Sequence, residues 1–200
     1  MYRKSIYSRI ADIFVPVLFY LAVTTAASYL LQSKDISLGV LVGDGLCIPL
    51  LALCYSRDRS SEGRETATGP AEWVICLAGG AALSALSSFL MNAMGVYGRF
   101  SNTAQEAYAA SPAVWLILGP GLAAPVCEEL VYRGLLYPRL KKNIPTAAAA
   151  LLSAAAFAIG HGNMIQFLYA FPMGLILCAA AERCGGNVIL PVMIHLGANL

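Results

Sequence analysis

Three charged side chains fall within six residues, Glu128, Glu129 and Arg133, inside the otherwise apolar run Ala123–Leu136. A charge near the centre of a bilayer costs about 2.5–3.5 kcal/mol on insertion scales. Such a cluster therefore needs partners, water or a chemical task, and its helix face has to point into a bundle rather than at lipid. The surrounding composition makes the membrane reading the natural one. Only 12% of the 200 residues are charged and 58% are hydrophobic, against about 25% charged in soluble domains. A formal charge of +2, with no basic run interleaved with aromatics, gives nucleic acid nothing to bind.

Apolar runs of spanning length recur along the chain. The spans are placed at Ile10–Leu31, Ile36–Tyr55, Trp73–Met94, Ala113–Tyr137, Ile144–Gly160, Ile165–Ala181 and a short Asn187–Leu200. The expected fold is all-α, a polytopic transmembrane bundle of about six to eight helices forming a single domain over residues 1–200. Its motif-bearing core covers about residues 112–200. The first apolar run exceeds the hydrophobic region of a signal peptide and is expected to be retained as a span. The last span, with one residue after Asn199, is expected to be truncated or frayed.

Basic residues orient this set. Arg3, Lys4 and Arg9 precede the first span, Arg57, Arg59 and Arg64 follow the second, and Arg139, Lys141 and Lys142 follow the fourth. Alternation puts all three groups on one side, which is expected to be cytoplasmic along with the N-terminus. Gly119-Pro120-Gly121 and Pro125 predict a kink or break in the fourth span just before the carboxylates. The alanine runs of the fifth span let neighbouring helices approach closely. Asp44, between Gly43 and Gly45, reads as a local cap or helix break, with a place on the cavity wall as the alternative, and Glu182-Arg183 and Asn92 read as interfacial. The six cysteines have no CxxC spacing and read as small packing residues rather than disulfides or a zinc ribbon.

Polar residues of the second half form three islands at helical spacing: Glu128-Glu129-x-x-x-Arg133, Phe157-x-x-x-His161 and His195-x-x-x-Asn199. Glu129 and Arg133 have the i, i+4 order that favours a helical ion pair. Both histidines of the chain belong to these islands. Two carboxylates, two imidazoles and a carboxamide on three spans predict one converging site. Depth is the obstacle: counted along its span, His161 lies about 25 Å in, at 1.5 Å per residue, while Glu128 lies near the cytoplasmic end of its own. A tilt, a break at Pro125 or a later start of the fifth span has to bring them level.

The three blocks, in this order, resemble the CPBP family of intramembrane proteases, also called the CAAX prenyl protease type II or Abi family. The resemblance implies a membrane endopeptidase acting on a peptide or protein substrate, lipidated or membrane-bound, in CAAX-type processing, peptide maturation or bacteriocin self-immunity. It implies that Glu128 and His161 hold and activate a water, that His195 and Asn199 stabilise the oxyanion, and that Glu129 and Arg133 give structural support. The family carries a metalloprotease label. No cofactor is required on the preferred reading; zinc held by Glu128, His161 and His195 is the alternative, although the chain lacks HExxH. Two readings without proteolysis stand beside it: a non-catalytic binding or immunity scaffold of the same fold, and a small proton-coupled transporter using the carboxylates as a relay.

Overall fold

The computed structural model describes residues 6–60, 67–100 and 103–200. Arg3, Lys4 and Arg64 of the basic groups lie outside the described residues, as does the side chain of Arg9. The described chain forms eight helices and no strands: α1 (Ile6–Leu31), α2 (Ile36–Ser60), α3 (Pro70–Ala93), α4 (Thr103–Ala109), α5 (Ala113–Lys141), α6 (Thr146–Gly160), α7 (Met164–Arg183) and α8 (Ile189–Asn199). Five of them, α1, α2, α3, α5 and α7, are long and apolar enough to cross a membrane. Helices α6 and α8 have 15 and 11 residues. At 1.5 Å per residue they reach about 22 and 16 Å, short of the roughly 30 Å hydrocarbon core. The seven expected spans are therefore five full-length helices and two shorter ones, and α8 stays helical through Asn199.

Helix α5 is the axis of the bundle. It is not broken before the carboxylates, and the irregularity expected there takes the form of a wider winding. It runs as one helix that widens into π-helical geometry twice, over Ile117–Ala123 and Leu130–Leu136. Each wide segment is followed at its second position by a proline, Pro125 and Pro138. A proline ring inside an α-helix clashes with the carbonyl four residues back and leaves a carbonyl without its N–H donor. A π turn moves that carbonyl away, so the chain absorbs the proline without stopping. Because Ala124 N–H is spent on Gly119 O and Pro125 has no N–H, the Pro120 carbonyl lacks a backbone donor. Asn199 supplies one, its Nδ2 donating to Pro120 O at 2.9 Å.

Glycines set the close helix crossings. A Cβ on Gly119 would lie 2.4 Å from Ser37 O of α2. One on Gly80 of α3 would lie 1.8 Å from Ile194 O, and one on Gly197 of α8 would lie 1.9 Å from Leu77 O. The backbones of α3 and α8 thus touch at two reciprocal points, where small residues replace the hydrophobic effect that lipid cannot supply. Gly197→Ala is expected to force these helices apart and destabilise the protein by about 1–3 kcal/mol, as overpacking does. Thermal unfolding in detergent reads this directly, and an unchanged midpoint would contradict the crossing.

Charged ends are tied together at one end of the bundle. Arg139 pairs with Asp58 at 2.8 Å, Lys141 with Glu182, and Arg183 with Glu72 at 2.8 Å. The C-terminal ends of α2, α5 and α7 and the start of α3 therefore lie together, which agrees with the alternation read from the basic residues. At the other end Asp35 caps α2 and, with Ser111 and Ser37, links α2 to the start of α5.

Candidate active site

The hairpin of α5 and α6 removes the depth problem. Measured from the turn that joins them, Glu128 lies about 20 Å back along α5 and His161 about 22 Å forward along α6. The two are level because both are reached from the same turn. Gly162, at φ 74°, lets the chain reverse immediately after His161. Asn163 then caps α7, accepting from Gln166 N at 2.8 Å.

Glu128, His161, His195 and Asn199 all line one cavity of about 780 Å³. Glu128 Oε2 lies 3.6 Å from His195 Nε2, and Glu128 Oε1 accepts a hydrogen bond from the Tyr20 hydroxyl at 3.2 Å. Glu129, fully buried, accepts from Arg133 Nη1 at 2.9 Å and from His195 Nδ1 at 2.8 Å, both on Oε1. An ionised carboxylate only accepts, so Nδ1 carries the proton and Nε2 is turned toward Glu128. Glu129 therefore holds the histidine of α8 as well as its own helix. The ion pair with Arg133 is as expected; the grip on His195 is not visible in a spacing of 66 residues.

Arg133 is itself fully buried, with Nη2 donating to Gly174 O at 3.2 Å and its guanidinium 4.3 Å from the Phe157 ring centroid. Gly174 makes room for it, since a Cβ there would lie 3.2 Å from that nitrogen. Phe157 stands edge-on between the two imidazoles, 4.8 Å from His161 and 5.5 Å from His195. His161 Nδ1 donates to Phe157 O at 2.9 Å, because a carbonyl oxygen has no proton to give. Its Nε2 is then the lone-pair nitrogen. The phenylalanine of the FxxxH block is thus a ring spacer and a backbone acceptor at once.

Half of the cavity lining comes from the part of the chain without motifs, and three of those residues bear directly on the carboxylates. Asp44 is neither a cap nor a break: α2 runs through it uninterrupted, and its carboxylate is 2% exposed on the cavity wall. Gly43 beside it serves the crossing with α1, where a Cβ would lie 3.0 Å from Thr24 Cα. Tyr20 of α1 is the second. Tyr108 of α4 is the third, and burial, with Glu128 and then Asp44 adding to it, pushes its hydroxyl up to about 12, so it remains a neutral donor. A carboxylate in mid-span was the sequence signal for Asp44; the tyrosines had none.

Zinc needs three or more side chains converging on one point. Among the described residues no three His, Cys, Asp or Glu side chains form such a group. Each imidazole has committed Nδ1, to Glu129 and to Phe157 O, which leaves Nε2 as the nitrogen a metal would take. Glu128, His161 and His195 are not drawn together on one point in this arrangement.

A family model described as type II CAAX prenyl endopeptidase Rce1-like matches residues 110–200. Those 91 of the 200 residues are similar to the Rce1-like family. The Rce1-like segment comprises α5–α8 and contains all three motif blocks, so the resemblance read from them and the family match coincide. The family is one of CAAX-type endopeptidases, and with five candidate spans the chain is a multi-pass membrane protein. Helices α1–α3 lie outside the Rce1-like match, yet they bring Tyr20 and Asp44 to the cavity. No curated protein and no solved structure matches the chain.

Proposed function

We propose that the protein is an intramembrane endopeptidase in which Glu128 activates a water against a peptide carbonyl. The observation that carries this reading is the Glu128–His195 approach at 3.6 Å on the wall of a large cavity that His161 and Asn199 also line. Glu128 is the general base, taking the water's proton as its oxygen attacks. His161, with a lone pair on Nε2, accepts the water's second hydrogen bond and orients it. His195, positioned by Glu129 through Nδ1, turns Nε2 toward the developing oxyanion and donates to it when that nitrogen carries a proton. Asn199 has one amide hydrogen left after its bond to Pro120 O and directs it at the same oxygen. The proton on Glu128 then passes to the leaving amine. These steps use no metal.

The end of the bundle that gathers Arg57, Arg59, Arg139, Lys141 and Lys142 is assigned to the cytoplasm on the excess of basic residues there. The N-terminus lies on that side. Substrates on this reading are membrane-associated peptides or proteins, with peptide maturation or self-immunity favoured over processing of prenylated tails.

The test is incubation of the purified protein in nanodiscs with a pool of membrane-anchored peptides, with new termini identified by mass spectrometry. Products that vanish in Glu128→Gln support the reading. No new terminus across the pool, together with ion or solute flux in proteoliposomes, would replace it with a transporter. Tyr20→Phe removes the donor that fixes Glu128. Hydrogen bonds to charged groups are worth about 1.5–3 kcal/mol, so kcat is expected to fall about tenfold or more with KM nearly unchanged. An unaltered kcat would show that Tyr20 does not position the base.

A further inference from the structure

Asp44 is the one buried carboxylate on the cavity wall that the proposed steps leave without work. It is 2% exposed, and its Oδ1 has no hydrogen-bond partner. A buried polar oxygen left unpaired costs about 1–3 kcal/mol, more when charged. Such a cost points to a partner that arrives with a ligand.

The cavity's own composition says which kind of partner. Its described lining holds two carboxylates, Asp44 and Glu128, and no lysine or arginine. His195 faces Glu128 and is also held by Glu129, and Tyr20 donates to Glu128 and not to Asp44. Tyr20, Tyr97, Tyr108, Tyr132 and Tyr169 contribute ring faces and edges to the same walls. A low-dielectric chamber with surplus negative charge and aromatic walls attracts a cation, by field and by ring quadrupole together. The same chamber has no lysine or arginine to pair with a terminal carboxylate.

We infer that the substrate carries a lysine or arginine side chain beside the scissile bond and that Asp44 is the residue that recognises it. This rests on the proteolytic reading above. Asp44 and Glu128 face one chamber from adjacent helices, since α2 packs directly on the Ala124–Glu129 turns of α5. A peptide that sets its carbonyl against Glu128 therefore passes its neighbouring side chain by Asp44. Asp44 is a specificity residue and takes no part in proton transfer.

The experiment uses the full chain carrying Glu128→Gln, in phosphatidylcholine nanodiscs, so that binding is read without turnover and without the charge of Glu128. The probes are fluorescent alanine-leucine peptides in which one lysine, one acetyl-lysine or one norleucine is walked along the sequence. At one register the lysine peptide is expected to bind about tenfold or more tighter than both neutral counterparts, the range of close, poorly solvated charge pairs. Adding Asp44→Asn is expected to erase that difference. Equal affinities at every register would overturn the inference, and so would a lysine preference that survives Asp44→Asn. If the doubly substituted protein does not fold, the lysine against acetyl-lysine contrast with Asp44 intact still decides between a charge site and none. Failure of the proteolytic reading registers separately, as absence of cleavage of the bound peptide by protein that retains Glu128.

Discussion

Glu128→Gln is expected to lower kcat for peptide cleavage by about 10²–10⁴-fold, the usual contribution of a positioned general base. The substitution keeps the shape of the side chain and leaves Oε1 able to accept from Tyr20, now at 3.2 Å. Stability should therefore change by less than about 1 kcal/mol. What disappears is the capacity to take a proton from water. KM should move little, since the carboxylate is not asked to bind the peptide. Cleavage by the variant at the unaltered rate would remove Glu128 from the reaction and leave the chamber without a base on α5. A collapse of the fold along with the activity would be a different failure, and thermal unfolding beside the rate measurement separates the two.

Glu129→Ala is expected to have the largest effect on stability, a loss of about 3–5 kcal/mol. The Arg133 guanidinium is fully buried, and after the substitution Gly174 O and the Phe157 and Tyr132 rings remain to it, none of them a counter-charge. A buried cation stripped of its counter-charge is far costlier than a missing neutral hydrogen bond. The same truncation frees His195 Nδ1, so activity should fall even at temperatures where the protein stays folded. Glu129→Gln keeps an acceptor oxygen and is expected to lie between wild type and Glu129→Ala in both unfolding temperature and rate. An unfolding midpoint for Glu129→Ala equal to wild type would show that the pair does not hold the helix.

The helices were legible because apolar runs and their polar interruptions carry most of the information about a membrane bundle. Ile36 and Ala113 begin α2 and α5 where expected, and Leu31 and Gly160 end α1 and α6 where expected. The three polar islands stood out for the same reason, since hydrophilic side chains are conspicuous against such a background. Other features depend on what lies across the interface, which periodicity does not encode. Gly43 and Gly45 made Asp44 look like an interruption, but Gly43 is there to admit Thr24. Pro125 suggested a break, but a proline can be accommodated by one wider turn when neighbouring side chains supply the lost donor, as Asn199 does. His161 and Glu128 come level because α5 continues past Tyr137 to Lys141 and α6 starts at Thr146, which no apolar run marks.

Each wide turn in α5 amounts to one surplus residue wound into the helix. Deleting a residue between Ile117 and Ala123 would restore ordinary winding there and rotate everything before it by about 100° relative to the carboxylates. Gly119 would leave Ser37, and Pro120 would leave Asn199, so α2 and α8 would lose their common reference along α5. The lipid-facing positions of this helix can exchange one apolar side chain for another at little cost. Its length between Gly119 and Glu129, by contrast, is a phase setting, and a change of a single residue puts the two ends of the chamber out of step.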